Sequence, residues 1–160
     1  MKAFLVKVIL FALAGLLFYP VVVIIMGNKD SSRHNLYYRL GTYGQMHSRL
    51  QDLDTTSKVD ILFLGSSHSY RGFDTRIFQK AGYSSFNLGS TYQTPIQSLY
   101  LIKMYIEQLD PSLVIMETSP AAFSDKGTES SLDIISNAPV TFQTMRLAIR
   151  RNEIIVFSTL

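Results

Sequence analysis

Residues 59–74 read VDILFLGSSHSYRGFD, an apolar run closed by a glycine and followed at once by three serines, a histidine and two charges. Short, mostly apolar and glycine-terminated, VDILFLG reads as a buried strand. Outward from it, DTRIFQKAG (residues 74–82) reads as a short helix with an aspartate cap and a terminal glycine. SSFNLGS holds a second short strand ending at Gly89. TPIQSLYLIKMYIEQLD then places Ile96, Leu99, Ile102, Ile106 and Leu109 at helical spacing, with Pro95 suited to the first turn. Pro111 follows that helix, SLVIMET reads as a third buried strand, residues 121–140 read as a loop with a helical turn, and residues 141–160 read as a helix running close to the last residue. Strand, helix, strand, helix, strand predicts an α/β fold with a parallel sheet, because parallel neighbours need crossovers of this length.

Ligands of such sheets collect at the carboxyl ends of the strands. Residues 66–71 follow the first strand, 89–93 the second and 117–119 the third, so all three stretches are expected at one edge. A serine at a tight strand-to-helix turn presents its hydroxyl with backbone N–H groups nearby, as acyl transfer requires. A glycine after the neighbouring strand brings its own N–H close without a Cβ in the way. The candidate residues are Ser66, Ser67, His68, Arg71, Asn87, Gly89 and Glu117. Several also have a plain structural reading. Ser66 and Ser67 suit the cap of the following helix. Arg71 and Asp74 suit pairing with each other, against Arg71 holding an anionic substrate. Glu117 suits accepting hydrogen bonds from loop amides, against orienting a base or binding a cation. The histidines and carboxylates form no paired ligand motif, so no metal or other cofactor is expected.

The chain has 160 residues, 47% hydrophobic, enough for one domain beside a targeting segment. Residues 8–26, VILFALAGLLFYPVVVIIM, carry no charge. Roughly 19 residues at about 1.5 Å each nearly cover a hydrocarbon core of about 30 Å. A cleaved secretory signal is the rival reading. The core is long for one, and IMGNKDSS lacks the small residues of a cleavage site, which favours an uncleaved anchor. Pro20 predicts a kink. Lys2, Lys7 and the amino terminus favour a cytoplasmic N-terminus, although Lys29 and Arg33 follow closely. The expected organisation is an anchor over residues 1–28, a juxtamembrane linker over 29–57 and an α/β domain over 58–160. Tyr37, Tyr38 and Tyr43 suit either a membrane interface or packing against the domain. A net charge of +3 with a pI near 9.2, spread along the chain, gives no support for nucleic-acid binding and leaves an anionic membrane or cell-wall polymer as a partner. The absence of cysteine excludes disulfides and thiolate chemistry.

ILFLGSSHS resembles the first sequence block of the SGNH hydrolases, the GDSL-type esterases and lipases, with Gly65-Ser66-Ser67 where Gly-Asp-Ser usually stands. FNLGS resembles the second block, with Gly89 as its glycine. Followed by LVIMETSP, the string is most similar to membrane-anchored SGNH-like proteins of bacterial envelopes. The resemblance covers residues 59–120. It implies a parallel, flavodoxin-like three-layer sheet, with Ser67 as nucleophile and the N–H groups of Ser67 and Gly89 as oxyanion donors. It implies a single-pass protein of the bacterial cytoplasmic membrane, its C-terminal domain outside the cytoplasm. The implied partners are the membrane, an acyl-carrying envelope polysaccharide or other acylated substrate, and a membrane acyltransferase.

The departures are as specific. Where the family's third block, Gly-x-Asn-Asp, supplies an oxyanion asparagine, this chain reads Glu117-Thr118-Ser119-Pro120. Asn87 suits positioning the second loop. The family's late Asp-x-x-His is absent, and the three histidines are His34, His47 and His68. His68 adjoins Ser67, so its ring is expected to diverge from that hydroxyl and contact the loop or substrate. Further strands and the Asp-x-x-His belong after residue 160 in the family's order, which makes an incomplete sheet the expectation. Two functions follow: an esterase or O-acyltransferase acting on acylated envelope glycans or lipids, or a non-catalytic, membrane-tethered binding or assembly module.

Overall fold

The computed structural model describes residues 1–26, 46–157, 159 and 160. His34, Tyr37, Tyr38 and Tyr43 lie outside the described residues, as does most of the expected linker. The chain divides into two compact units, Met1–Tyr37 and Tyr38–Leu160.

The first unit contains α1 (Lys2–Met26), with Pro20 inside it. Its stretch Lys2–Val22 has a mean hydropathy of 2.3 and is long and apolar enough to cross a membrane. Phe4, Leu10, Leu16, Leu17 and Phe18 all stand exposed, so the helix is apolar around its circumference and has no polar face to turn to water.

The second unit runs α2 (Met46–Leu53), β1 (Ile61–Leu64), α3 (Ser67–Gly72), α4 (Thr75–Lys80), β2 (Ser85–Asn87), α5 (Pro95–Leu109), β3 (Leu113–Met116), α6 (Pro120–Ser124), α7 (Thr128–Asn137), α8 (Phe142–Arg151) and α9 (Ile154–Phe157). Its three strands form one parallel sheet in the order β2-β1-β3. The central strand pairs Leu62 with Phe86 on one side and with Val114 on the other. All four residues of β1 are buried, as a strand covered on both faces requires. Its side chains alternate. Leu62 and Leu64 enter a core with Leu88, Leu101, Leu109, Ile134 and Leu147. Phe63 instead stacks on Phe73, ring centroids 4.6 Å apart, and meets Phe78 at 4.9 Å.

The helix starts follow local chemistry. Asp74 caps α4 by accepting from Arg76 N. Thr94 and Gln97 form a capping box on α5, with Pro95 in its first turn.

Five features depart from the sequence reading. Residues 46–53, expected as linker, form α2, which sends Met46, Leu50 and Leu53 into the core. Residues 121–140, expected as a loop with a helical turn, form α6 and α7, and Ser130 through Ser136 of α7 are all buried. The helix expected to run close to the last residue stops at Asn152, whose φ of 51° ends α8 before α9 begins. The buried face of α5 carries Gln97, Ser98, Leu101 and Leu109, while Leu99 is 48% exposed. The cause is an internal polar network. Gln97 Nε2 donates to Gly127 O at 2.9 Å and to Ser131 Oγ at 2.8 Å, and Gln93 Nε2 donates to Ser98 Oγ at 2.9 Å. Last, β3 was expected to be buried, but as an edge strand it leaves Leu113, Val114 and Met116 exposed.

Candidate functional site

The carboxyl ends of the strands bring the β1 and β3 exits into contact through Gly65. Its φ of +131° disfavours any residue with a side chain, and a Cβ there would lie 2.7 Å from Glu117 Cβ. Glu117 N donates to Leu64 O at 2.9 Å, which extends the sheet pairing by one residue. The Glu117 carboxylate then turns back over the β1 exit. Its Oε2 accepts from Ser66 N at 2.9 Å and Ser66 Oγ at 2.6 Å, and its Oε1 accepts from Ser119 N at 2.6 Å. Burial raises the Glu117 pKa, but these donors outweigh it and leave it below the usual carboxylate value. Glu117 therefore acts as an ionised clamp between two loops.

Ser66 is the cap of α3 and accepts from His68 N at 3.3 Å. Its Oγ also lies 3.2 Å from His68 Nδ1. A hydroxyl has one proton, and the 2.6 Å bond gives it to Glu117. His68 Nδ1 is then the donor toward Ser66. The His68 side chain is 72% exposed, and its Nδ1 stands 4.0 Å from Glu117 Oε1.

Ser67 differs from its neighbour. It is half-buried at the first position of α3, where the N–H has no intrahelical acceptor. Its hydroxyl makes no hydrogen bond among the described residues, and no histidine or carboxylate among them reaches it.

The β2 exit is organised by Asn87. Its Oδ1 accepts from Gly89 N at 2.9 Å and from Ser69 Oγ at 3.4 Å. Its Nδ2 donates to Ser69 O at 3.1 Å and Phe73 O at 3.4 Å, which ties β2 to α3. Ser90 N donates to Gly65 O at 3.1 Å and closes the loops around the site. The Gly89 N–H, the donor that the family resemblance assigns to the oxyanion, is thus directed at Asn87.

Arg71 lies with its guanidinium carbon 5.6 Å from the Tyr70 ring centroid. The expected Arg71–Asp74 pair is not made, because Asp74 binds Arg76 two residues away, at 2.7 Å between Oδ2 and Nη2. Tyr70 Oη sits 3.3 Å from Thr91 Oγ1, linking α3 to the β2 exit.

Sequence reasoning missed two charged residues near these loops. Arg49, on α2, has Nη1 3.4 Å from Asn87 O and its guanidinium carbon 5.0 Å from the Tyr70 centroid. Asp133, on α7, is fully buried; its Oδ1 accepts from Asn137 Nδ2 at 3.1 Å, and its Oδ2 has no hydrogen-bond partner among the described residues. Burial pushes Asp133 up to about 7, against the opposing pull of Arg49. The available signal for α2 was its spacing of Met46, Leu50 and Leu53. No cluster of three or more His, Asp or Glu suited to a metal ion occurs among the described residues.

Compared with known proteins, the chain matches no family model, no curated protein and no solved structure.

Proposed function

We propose that this chain is a membrane-anchored serine esterase or O-acyltransferase of the SGNH type, acting on acylated cell-envelope glycans or lipids. The observation that carries the reading is the division of labour between adjacent serines. Ser66 is spent on Glu117 and the helix cap, while Ser67 stands at the first position of α3 with its hydroxyl uncommitted. In this reading Ser67 Oγ attacks an ester carbonyl and loses its proton to a base, and the alkoxide leaving group departs with a proton. Water or an acceptor hydroxyl then takes the acyl group from the serine. The Ser67 N–H and the start of α3 face the developing oxyanion. The base has to come from outside the described residues. The sheet is read as part of a flavodoxin-like SGNH fold. The apolar N-terminal helix is read as a single-pass anchor in a bacterial cytoplasmic membrane, with the second unit on the extracytoplasmic side.

A second reading, a tethered binding or assembly module, is favoured by the Gly89 N–H, which Asn87 already occupies. Labelling of the full chain with a fluorophosphonate serine probe separates the two. Labelling that disappears in Ser67→Ala but persists in Ser66→Ala supports the esterase. Absence of Ser67-dependent labelling in folded protein supports the module.

A further inference from the structure

Helix α8 buries Thr144, Leu147 and Ala148 against the rest of its unit. At about 100° per residue, its opposite side should be polar, as on other surface helices. Instead that side carries Phe142, Met145 and Ile149, which are 64%, 42% and 64% exposed and stand at helical spacing on one ridge. The ridge is about 10 Å long. We propose that this outer face of α8 docks on the surface of an anionic membrane.

The charges beside the ridge decide the sign. Arg146 and Arg150, one turn apart, are both exposed there, and the Arg146 guanidinium carbon lies 5.0 Å from the Phe142 ring centroid. No Asp or Glu lies between Asp133 and Glu153 in the chain. Arg151, the third basic residue of the helix, is largely buried and pairs with Glu153, which cancels that carboxylate. The outer face of the helix therefore carries two positive charges and no negative one.

An apolar ridge beside arginines fits a lipid interface. Phe142, Met145 and Ile149 enter the acyl boundary, while the arginine stems lie along the ridge and their heads reach lipid phosphates. A protein partner fits less well. Three half-exposed side chains offer at most a few hundred Å², short of the roughly 600 Å² per partner that a stable interface needs. A second copy would also bring the same two positive charges to both sides of the contact.

A leaflet is within reach as well. The stretch Lys2–Val22 of α1 is long and apolar enough to cross a membrane. Residues 27–45 join α1 to α2 and can extend to no more than about 65 Å. An inserted α1 thus keeps the second unit at a high effective concentration beside the lipid. For that proximity alone the docking rests on the anchor reading of α1, and it does not depend on Ser67.

The chain contains no tryptophan, so Phe142→Trp places a single fluorescent reporter on the ridge. The full chain carrying it is reconstituted into phosphatidylcholine vesicles, with and without phosphatidylglycerol, and floated on a density gradient. In the anionic vesicles its emission should shift to shorter wavelength and be quenched by brominated acyl chains. Ile77→Trp, on α4 and as exposed as Phe142, should keep the emission of indole in water. Arg146→Gln and Arg150→Gln, added to the reporter chain, should each weaken the docking about fivefold.

The proposal is overturned if the Phe142→Trp emission in floated anionic vesicles stays at that of Ile77→Trp. It is also overturned if the emission shifts without quenching by bromolipid, as cover by a second copy or another protein would give. A chain that fails to float overturns it together with the anchor reading. Flotation that high salt reverses, with quenching intact while bound, removes the anchor reading and supports the docking. The esterase reading fails separately, through absence of Ser67-dependent labelling.

Discussion

Glu117 holds Ser66 twice, by its N–H at 2.9 Å and by its hydroxyl at 2.6 Å, although 51 residues separate them. The pair joins the exit of the central strand to the exit of an edge strand. A half-buried carboxylate is held there because Ser66 and Ser119 supply three donors to it.

Glu117→Ala should therefore cost about 1–3 kcal/mol, since it strands the Ser66 and Ser119 N–H groups. The pH dependence has a definite sign. With the folded pKa below the unfolded one, the Glu117 contribution is complete above the unfolded value and is lost as pH falls through the folded one. Denaturant titrations from pH 7 down to pH 3 should show the Glu117→Gln variant losing less stability on acidification than wild type. Equal acid limbs would count against the clamp.

Gly65→Ala should be among the most damaging single changes in the unit. The new methyl meets Glu117 Cβ at 2.7 Å, and the φ of +131° is strained for alanine. Strain of this kind costs about 1–3 kcal/mol, and the clash adds to it. Thermal unfolding of Gly65→Ala beside Gly82→Ala offers an internal control, because Gly82 also has positive φ but open space at its Cβ position. The Gly65 variant should fall further.

Much of this geometry was legible in the sequence, for identifiable reasons. The buried run of β1, the Asp74 cap and the Thr94-Pro95 start of α5 are each fixed by residues within a few positions of one another. Helix α7 was not legible because TESSLDIISN looks like a polar loop. Two of its buried serines find partners far away in sequence, Ser130 on Ser90 at 2.5 Å and Ser131 on Gln97 at 2.8 Å. The serine–glycine loops of the site could be read, but the assignment of Ser66 to Glu117 and of the Gly89 N–H to Asn87 could not. The first is settled by two loops that meet in space across 51 residues of sequence, and the second by the rotamer of Asn87, which its bond to Ser69 O on α3 fixes.

Asp133 makes the opposite pH prediction from Glu117. Its carboxyl is pushed up to about 7, so between its unfolded pKa near 3.9 and that value the folded chain binds more protons than the unfolded one. This group's effect is then a loss of stability as pH rises through that window. Asp133→Asn keeps the size and the Asn137 contact while removing the charge, and should stabilise the protein at pH 8 by about 2–4 kcal/mol. At pH 4 the variant and the wild type should unfold together. A variant less stable than wild type at pH 8 would show that the charge, through Arg49, is needed for the fold.

The edge strand provides a test of where the core ends. In the parallel register Val114 pairs with Leu62 and Met116 with Leu64, so these side chains share one face of the sheet. Yet Leu62 and Leu64 are fully buried, while Val114 is 40% and Met116 39% exposed. The helices that cover β1 therefore stop short of β3, and the energetic value of an apolar side chain should drop across a single strand spacing of about 4.8 Å. Leu62→Ala is expected to cost about 2–5 kcal/mol because it opens a cavity. Val114→Ala removes surface that water already touches and leaves no closed void, so its cost should stay below about 1 kcal/mol. Chemical denaturation of the two variants measures that ratio directly. Comparable losses would mean that β3 is covered in solution by something the described residues do not provide.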